Sequence, residues 1–506
     1  MAAAVLFVSL VSLRAQSLPD NIDISGSPNG IVTLPGTVSS VFTNVFDRYT
    51  KITAPNGRSI HFLLQSNVTD EMAVRAREVM RFYLTDAPGT QYGSNKTAIA
   101  NRMANVDATL VYFNTEQAAQ QAINGPLGNT NLFFQDLYAT ESIVEGSSSY
   151  ISNNNRDATL EEVFHLVHGA GIRNGLPAYH SEMTAAKNAA KTAGMYTPPF
   201  GLPVQDEVFE YIISVIDVYY GFWGHDPDGD GTSFGGEYIF HTQADVIAGD
   251  PAGVTAMLKF LPTVFSFDCT VASQFNGTFS LIFNGGVEYT HKSQYLTEVT
   301  LSGNNASGLR GNALDNVLAG NANNNVIDGR GGVDAAVFQG VFSEYTVQCN
   351  SASITVVDSV PARDGTDTLI SIEELRFADQ FVDCTWQDLG GGTVGSHGAV
   401  SLTGNGSLVG GSVAGLDLTN APPGVLSLAW LSFTSVPLPA FSGTVFASPF
   451  SGQFLFLTNG SGALSLGTTW PTGIPAGTEV WFQFLVSDPS VIWDITLSNA
   501  VKATTP

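Results

Sequence analysis

The sequence has little positive charge. Its 506 residues include 20 lysines and arginines against 45 aspartates and glutamates, which gives a net charge of −25. Nucleic acids and anionic membrane surfaces are bound through lysine and arginine patches, so this balance argues against both as partners. An acidic chain is better suited to binding divalent cations and to an extracellular setting.

Cysteines and long apolar runs are also scarce. The three cysteines form no CxxC pair, which excludes a disulfide framework and a cysteine metal site and leaves room for one disulfide, best placed at Cys349–Cys384. No stretch after residue 16 reaches the roughly 18 uninterrupted apolar residues of a transmembrane helix. No glycine-rich loop fits a nucleotide site, and the GxSxG motif of serine hydrolases is absent.

The first residues are typical of a secretory signal. "MAAAVLFVSLVSLRAQS" has an apolar run from Ala2 to Leu13 and a plausible cleavage position at Ala15, although it lacks a positive n-region. We therefore expect residues 1–16 to be a signal peptide and the protein to be secreted, at the cell surface or extracellular.

The pattern of apolar residues divides the rest of the chain. A turn-rich N-terminal extension (17–57) precedes an α+β domain (58–268), for which we expect strands in "SIHFLLQ", "ATLVYF" and "NLFFQDLY" and a helix over 69–85. The last helix of this domain is expected over 243–260. A β connector (269–301) follows, and helical periodicity disappears.

Residues 302–337 carry a nine-residue repeat of apolar, polar and glycine positions. The three series are Leu309, Leu318, Ile327 and Ala336; Ser307, Asn316, Asn325 and Asp334; and Gly311, Gly320 and Gly329. The repeat resembles the RTX (hemolysin-type) repeat, GGxGxDxUx, which implies a parallel β-roll with Ca²⁺ held between turns. Asp334 keeps the aspartate of the motif, whereas Asn316 and Asn325 bring oxygen without charge. The alternative is an asparagine-laddered solenoid that needs no ion.

Two further segments extend this resemblance. Residues 345–380, ending "DGTDTLISIEELRFADQ", look like the segment that follows RTX repeats in secreted bacterial proteins, so the RTX-like unit is expected over 302–387. A glycine-rich linker (388–399) leads to an almost uncharged unit (400–506), whose short strands and "NG" and "SG" turns predict a β-sandwich. Its ending is similar to a C-terminal domain of secreted proteins from some marine bacteria. The predicted fold class is therefore multidomain: α+β, then β-roll, then β-sandwich.

The stretch "ATLEEVFHLVHGAGI" (158–172) carries the most concentrated chemistry. In the HExxH motif two histidines one helical turn apart bind Zn²⁺, and the intervening glutamate polarises water. Here Glu161 replaces the first histidine, Glu162 would be the general base and His165 the second ligand. Because Glu161, His165 and His168 follow i, i+4, i+7 spacing, one helical stripe offers three ligands.

The order of elements around this motif resembles a zincin metallopeptidase. In gluzincins a downstream helix supplies a glutamate as third ligand; Glu207 or Glu210 in "DEVFEYIISVID" could take that part, and Glu210 is preferred. The resemblance implies Zn²⁺ and a peptide or protein substrate. Glu161 departs from the motif, and so do His168 and Gly171 from the metzincin pattern of RTX-bearing proteases.

Two other interpretations of these residues remain open. Thr159 and Glu162 match a helix capping box, and Gly169 and Gly171 match C-cap residues, so capping alone would explain much of the motif. Alternatively, Glu162-x-x-His165 with Glu207-x-x-Glu210 fits the ligand spacing of di-metal carboxylate proteins, a fold that needs four long helices.

A second candidate calcium site lies in "DPDGDGTSFGGE" (226–237). Positions 1, 3, 5 and 12 of an EF-hand loop are matched by Asp226, Asp228, Asp230 and Glu237, with Gly231 at position 6. Position 8 is not aliphatic, so the alternative is an acidic turn. Further single candidates are His180, Glu182, His225 and His241.

The sequence thus predicts a secreted, calcium-binding RTX-type protein with a metal-dependent, peptidase-like hydrolase domain. The alternative is a protein of another functional class, a non-catalytic extracellular surface or adhesion protein. In that case the zincin-like scaffold is inactive and the β units bind the surface ligand.

Overall fold

A computed structural model describes residues 17–152, 157–224, 226, 229–282, 294–349, 353–383, 385–406, 408, 410–475 and 477–505. The expected signal peptide and Cys384 lie outside these ranges, as does the side chain of Cys349. The chain divides into two compact units: one comprises residues up to 274 with 281–298, the other 275–280 with 299 onward. Helices and several sheets are both present, in agreement with a multidomain α+β class.

The first unit contains a five-stranded sheet in the order β1-β2-β3-β4-β5. Its strands are β1 (Val32–Thr33), β2 (Arg48–Thr53), β3 (Ser59–Leu64), β4 (Thr109–Phe113) and β5 (Phe134–Tyr138). The pairs β1–β2 and β2–β3 are antiparallel, while β3–β4 and β4–β5 are parallel. The three strands predicted in this region are confirmed, and the predicted extension contributes β1 and β2 to the same sheet.

Helices make up most of the rest of this unit. They are α1 (Ser40–Thr43), α2 (Asp70–Leu84), α3 (Thr97–Asn105), α4 (Glu116–Ile123), α5 (Ser148–Ser152), α6 (Thr159–Leu166), α7 (Arg173–Gly175), α8 (Pro177–Thr192), α9 (Glu207–Tyr219), α10 (Gln243–Gly249) and α11 (Pro251–Leu258). The predicted helix over 69–85 is confirmed. The one expected over 243–260 is two helices, because Pro251 begins α11 and lacks the N–H that a continuous helix would use.

Helix α6 does not begin or end as its sequence suggests. Its N-cap is Ala158, with no side-chain cap, while the Thr159 hydroxyl donates to Asp157 Oδ1 at 2.9 Å. The predicted capping box is therefore wrong. The helix also continues through a π-helical segment, Val167–Ile172, into α7, so the glycines of that segment are not C-caps.

Close packing explains these glycines instead. A Cβ on Gly169 would come within 2.9 Å of Phe133 Cζ, and one on Gly171 within 2.6 Å of Ile99 Cγ2. Both glycines thus let neighbouring side chains approach the helix backbone more closely than any other residue would permit.

The second unit begins with short strands that follow the nine-residue repeat. They are β7 (Thr278–Ser280), β8 (Glu298–Leu301), β9 (Gly308–Arg310), β10 (Val317–Ala319), β11 (Val326–Asp328) and β12 (Ala335–Val337), after a strand β6 (Cys269–Val271) of the first unit. Leu309 pairs in parallel with Ile327, and Leu318 with Ala336. Successive repeats therefore alternate between two sheets, and strands in one sheet are 18 residues apart.

The segment after the repeats completes both sheets. Its strands are β13 (Tyr345–Cys349), β14 (Ile354–Asp358), β15 (Thr366–Ile370), β16 (Glu374–Arg376) and β17 (Phe381–Asp383). Strand β15 pairs in parallel with β11, and β16 with β12. The apolar positions of the repeat are all buried, at 0–2% exposure, so they form the core between the sheets.

The remaining strands, from residue 386 on, are antiparallel. They are β18 (Trp386–Gly390), β19 (Val394–Gly395), β20 (Gly398–Ala399), β21 (Ser401–Asn405), β22 (Val413–Thr419), β23 (Leu426–Ser432), β24 (Leu438–Ala440), β25 (Gly443–Val445), β26 (Gly452–Leu457), β27 (Leu464–Thr469), β28 (Glu479–Ser487), β29 (Ile495–Leu497) and β30 (Ala500–Thr504). The larger sheet runs β18-β30-β28-β23-β26, and a second runs β21-β22-β27. Leu402 and Leu418 of the second share a core with Phe484 and Val486 of the first. Strand β18 begins two residues before the expected linker, extends into it and pairs with β30.

Candidate metal centre

Three side chains converge between helices α6 and α9. Glu161 and His165 lie one turn apart on α6, and Glu210 lies in the first turn of α9. One ligand atom from each falls within 4.8 Å of the other two. Among the residues that the structure describes, this is the one group of three or more histidine, cysteine or carboxylate side chains that meets this distance.

Apolar packing fixes the helix that carries two of these residues. The apolar residues Leu160, Val163, Phe164 and Val167 are all buried, and their spacing is that of one face of a helix. Tyr83 of α2 donates a hydrogen bond to the Leu160 carbonyl at 3.2 Å, which ties the start of α6 to its neighbour. Glu161 and His165 therefore lie on a helix whose opposite face packs into the apolar core.

The His165 imidazole contacts a carboxylate on each side. Its Nε2 lies 3.8 Å from Glu210 Oε2, and its Nδ1 lies 3.4 Å from Glu162 Oε2. Glu162 Oε2 also accepts a hydrogen bond from Gln135 Nε2 at 2.6 Å. Glu162, the predicted general base, therefore lies on the Nδ1 side of His165, whereas Glu210 lies on the Nε2 side. Its bond to Gln135 also connects it to strand β5.

His168 does not join the group, contrary to the prediction from its spacing. It lies in the π-helical segment that follows α6, and its side chain contacts residues outside the group. Its Nε2 contacts His180 Nδ1 at 3.0 Å, and its ring stacks on Phe209 with centroids 4.1 Å apart. Burial lowers the pKa of His168 well below its ordinary value, so the ring is neutral.

Glu207, like His168, lies outside the group of three ligands. Its carboxylate accepts hydrogen bonds from Lys187 at 2.8 Å and Lys191 at 2.7 Å, and both Glu207 and Lys187 are buried. Burial acts to raise the pKa of Glu207, but the two ammonium groups bring it below its ordinary value. Of the two glutamates predicted as third ligand, Glu210 is the one near His165. In the di-metal interpretation Glu207 was also a ligand, but its carboxylate bonds the two lysines instead.

The EF-hand-like loop is only partly described, because Asp228 and His225 lie outside the described residues. Asp226 accepts a hydrogen bond from the Gly231 N–H, and Asp230 accepts from Thr232 N at 2.8 Å. A 3₁₀ turn (Phe234–Gly236) precedes Glu237, and the next helix, α10, begins six residues later. An EF-hand would need a helix through Glu237, so a paired EF-hand is absent from the described part of this loop.

The remaining single candidates have other contacts. Glu182 accepts hydrogen bonds from Tyr92 and Lys259, at 2.8 and 2.6 Å. His241 Nδ1 lies 2.9 Å from the Gly231 carbonyl. These contacts give both residues structural roles in the first unit.

In the repeat unit the predicted calcium ligands take part in a ladder with backbone N–H groups. Asn316 Oδ1 accepts from Asn312 N, and Asn325 Oδ1 accepts from Asn321 N, both at 2.8 Å. The N–H of Asn316 in turn donates to Asp334 Oδ1 at 2.7 Å. Such contacts are those of the ion-free asparagine ladder, the alternative interpretation of the repeat.

Two buried carboxyl groups continue this ladder. The Asp334 carboxyl accepts a hydrogen bond from the Asn316 N–H, and the Asp367 carboxyl accepts one from the Asn325 N–H at 2.8 Å. Both aspartates are 1% exposed. Burial raises the pKa of Asp334 to about 8 and that of Asp367 to about 7. Asp334 Oδ2 is buried with no hydrogen-bond partner in the described part of the chain.

Sequence reasoning missed two residues of the metal group's surroundings. Gln135 bonds Glu162, and Phe209 packs beside His165, His168 and His180. A signal for Gln135 exists, since it is a polar residue within the apolar strand sequence "NLFFQDLY". Phe209, by contrast, has no pattern that distinguishes it from a core residue.

The donor set of the group fits a divalent transition metal. Zinc sites with a catalytic role use three protein ligands from histidine and carboxylates and leave a fourth position for water or substrate. Two carboxylates and one imidazole meet that requirement. In the described ranges, no helix is long and apolar enough to cross a membrane. No protein-family model, curated protein or solved structure matches the chain.

Proposed function

We propose that the protein is a secreted RTX-type protein with a metal-dependent, peptidase-like hydrolase domain. The convergence of Glu161, His165 and Glu210 is the observation that carries the proposal. A divalent ion such as Zn²⁺ bound there would act as a Lewis acid toward an amide carbonyl. Glu162, one residue from the first ligand, would accept the proton of the attacking water.

The fold neighbourhood is consistent with a divergent zincin. A mixed sheet precedes α6, and the third ligand comes from a later helix, α9, the order found in gluzincins. The substrate class that follows is a peptide or protein outside the cell.

The experiment for this proposal uses the purified full chain. We expect about one equivalent of transition metal after dialysis against Zn²⁺, and cleavage within a peptide library that Glu162→Gln abolishes. A chain that holds no stoichiometric metal and cuts no peptide would refute the hydrolase. A chain that binds metal without cleavage would be an inactive scaffold.

For the second unit we propose an RTX-like β-roll followed by a β-sandwich. Alternating parallel strands 18 residues apart support the roll, and the shared core of two antiparallel sheets supports the sandwich. One weak calcium site at Asp334 is the most that the donor set favours, since Asn316 and Asn325 bond backbone N–H groups. A calcium titration that follows β structure tests this; no response at millimolar Ca²⁺ favours the ion-free solenoid.

One observation favours the second candidate function, a non-catalytic surface or adhesion protein. A cleft of about 340 Å³ opens in the C-terminal sheets, with Trp386, Trp430, Trp470, Phe454 and Phe456 in its lining. Aromatic-lined clefts of this size suit recognition of an extracellular ligand. Binding to a surface without any metal-dependent cleavage would distinguish this function from the hydrolase.

A further inference from the structure

The ligand histidine of the metal group is linked to the central sheet by two polar side chains. Gln135 lies on β5, whose backbone pairs with β4 on one side. Its amide donates to Glu162 Oε2 at 2.6 Å, and the same oxygen lies 3.4 Å from His165 Nδ1. Three residues from two elements therefore form a continuous chain that ends at the imidazole.

This arrangement favours one tautomer of His165. A carboxylate beside Nδ1 favours the tautomer with the proton on that nitrogen, because the N–H can then donate to Glu162. The lone pair is then on Nε2, which lies 3.8 Å from Glu210 Oε2, on the side of the convergent ligands. The side chain of His165 is about 10% exposed, so solvent has little access to the ring.

We propose that Gln135 and Glu162 are positioning residues for the metal ligand His165, an inference that rests on metal binding by the proposed centre. Ligating histidines need an acceptor at the second ring nitrogen to fix ring orientation and to raise basicity, and loss of such an acceptor costs 10–100-fold in metal affinity. Gln135 holds the acceptor in place. The role is separate from the general-base role of Glu162, because it acts on metal affinity before any substrate is present.

The position of Glu162 distinguishes these two roles experimentally. A group that acts only as a base affects turnover and leaves metal affinity unchanged. A group that orients His165 affects metal affinity even in the absence of a substrate. Gln135 provides an independent check, because it contacts the Glu162 carboxylate and its own amide cannot act as a base.

The test measures Zn²⁺ affinity of the full chain against a competing chelator, with wild type, Glu162→Ala, Glu162→Gln and Gln135→Ala. We expect Glu162→Ala to weaken Zn²⁺ binding by about 10–100-fold and Gln135→Ala by a smaller factor. Glu162→Gln keeps an acceptor oxygen and should lie between wild type and Glu162→Ala. The visible spectrum of the Co²⁺-loaded chain should shift in the same order, which a general loss of stability would not produce.

Gln120→Ala is the matched control, because Gln120 donates to the Glu116 carboxylate at 2.9 Å on the exposed helix α4. It should leave Zn²⁺ affinity unchanged. Thermal unfolding of each metal-free variant separates misfolding from weak binding. If wild type binds Zn²⁺ and Glu162→Ala and Gln135→Ala bind it equally well, the positioning roles are refuted and the metal centre stands. If folded wild type binds no Zn²⁺, both proposals fall.

Discussion

The helical metal group and the asparagine ladder arise from the same kind of sequence signal, polar side chains at regular spacing. In the helical group, Glu161, His165 and Glu210 bring ligand atoms within 4.8 Å of one another. In the repeat unit, Asn316 and Asn325 point their oxygens at backbone N–H groups 2.8 Å away. Regular spacing therefore places side chains together in both regions, but only in the first does it assemble a set of ligands from different elements.

The difference comes from what the backbone leaves unsatisfied. Beyond its first turn, an α-helix bonds its own N–H groups, so a side chain such as that of His165 does not compete for them. The turns between short strands leave N–H groups without a ladder partner, and an amide or carboxyl oxygen at the sixth repeat position accepts from them. An oxygen committed to the backbone in this way is a poorer cation ligand.

Glu207 offers the strongest way to sharpen this contrast, because it shares a helix with Glu210 and was the other candidate for third ligand by sequence. Glu207→Ala leaves Lys187, 3% exposed, without its carboxylate, and we expect a loss of about 3–5 kcal/mol in the free energy of unfolding. Denaturant unfolding of the metal-free chain measures this. The double variant Glu207→Ala/Lys187→Met should recover most of the loss. A weaker effect than that of an exposed pair would show that Glu207 is not held by the lysines.

Removal of a converging ligand should instead lower the affinity of the chain for metal. Glu210→Ala or Glu161→Ala removes one of three donors, so Zn²⁺ affinity should fall by more than about a hundredfold, beyond the effect of an orienting residue. Metal content after dialysis and chelator competition measure it. Glu182→Gln is the control, since Glu182 bonds Tyr92 and Lys259 instead. Undiminished metal content in both ligand variants would remove the contrast between the two regions.

The same contrast explains how far sequence alone could go. Apolar spacing predicted β3, β4, β5 and α2, because burial of an apolar face dominates their formation. The spacing of Glu161 and His165 on one α-helical face was also correct. The prediction for His168 was wrong because its ring packs against His180 and Phe209, tertiary contacts that the helical spacing does not encode. Gln135 comes from a strand distant in sequence, so no local pattern could link it to Glu162.

In the asparagine ladder, removal of an asparagine side chain should lower stability and leave calcium binding unchanged. Asn325→Ala removes the acceptor of Asn321 N and the donor to the Ser307 carbonyl, both in buried surroundings. We expect about 1–3 kcal/mol of destabilisation, the usual cost of leaving a buried polar group unsatisfied. Circular dichroism during denaturation, with and without 5 mM Ca²⁺ (roughly the millimolar range of weak extracellular sites), measures both quantities.

Asn304→Ala is the control for that experiment, because Asn304 is exposed in the same unit. It should change stability by less than about 0.5 kcal/mol. If Asn325→Ala abolished a calcium response that wild type shows, Asn325 would be a ligand, and the ladder would resemble the metal group more closely than its contacts indicate.

The last prediction concerns pH, and it tests whether the ladder also contains neutral carboxyl groups. Burial raises the pKa of Asp367 from 3.8 to about 7, so its contribution to stability is complete below the unfolded value and is lost as the pH rises through 7. The wild-type repeat unit should therefore weaken between pH 5 and pH 7.5 relative to Asp367→Asn, by at most about 1.4 kcal/mol per pH unit. The amide variant keeps the oxygen that accepts from Asn325 N. Hydrogen exchange of β11 and β15, corrected for the intrinsic rate and measured with a chelator present, gives the local stability. Parallel pH profiles in the two proteins would mean that Asp367 is already ionised when folded, and that burial in the ladder does not suppress charge.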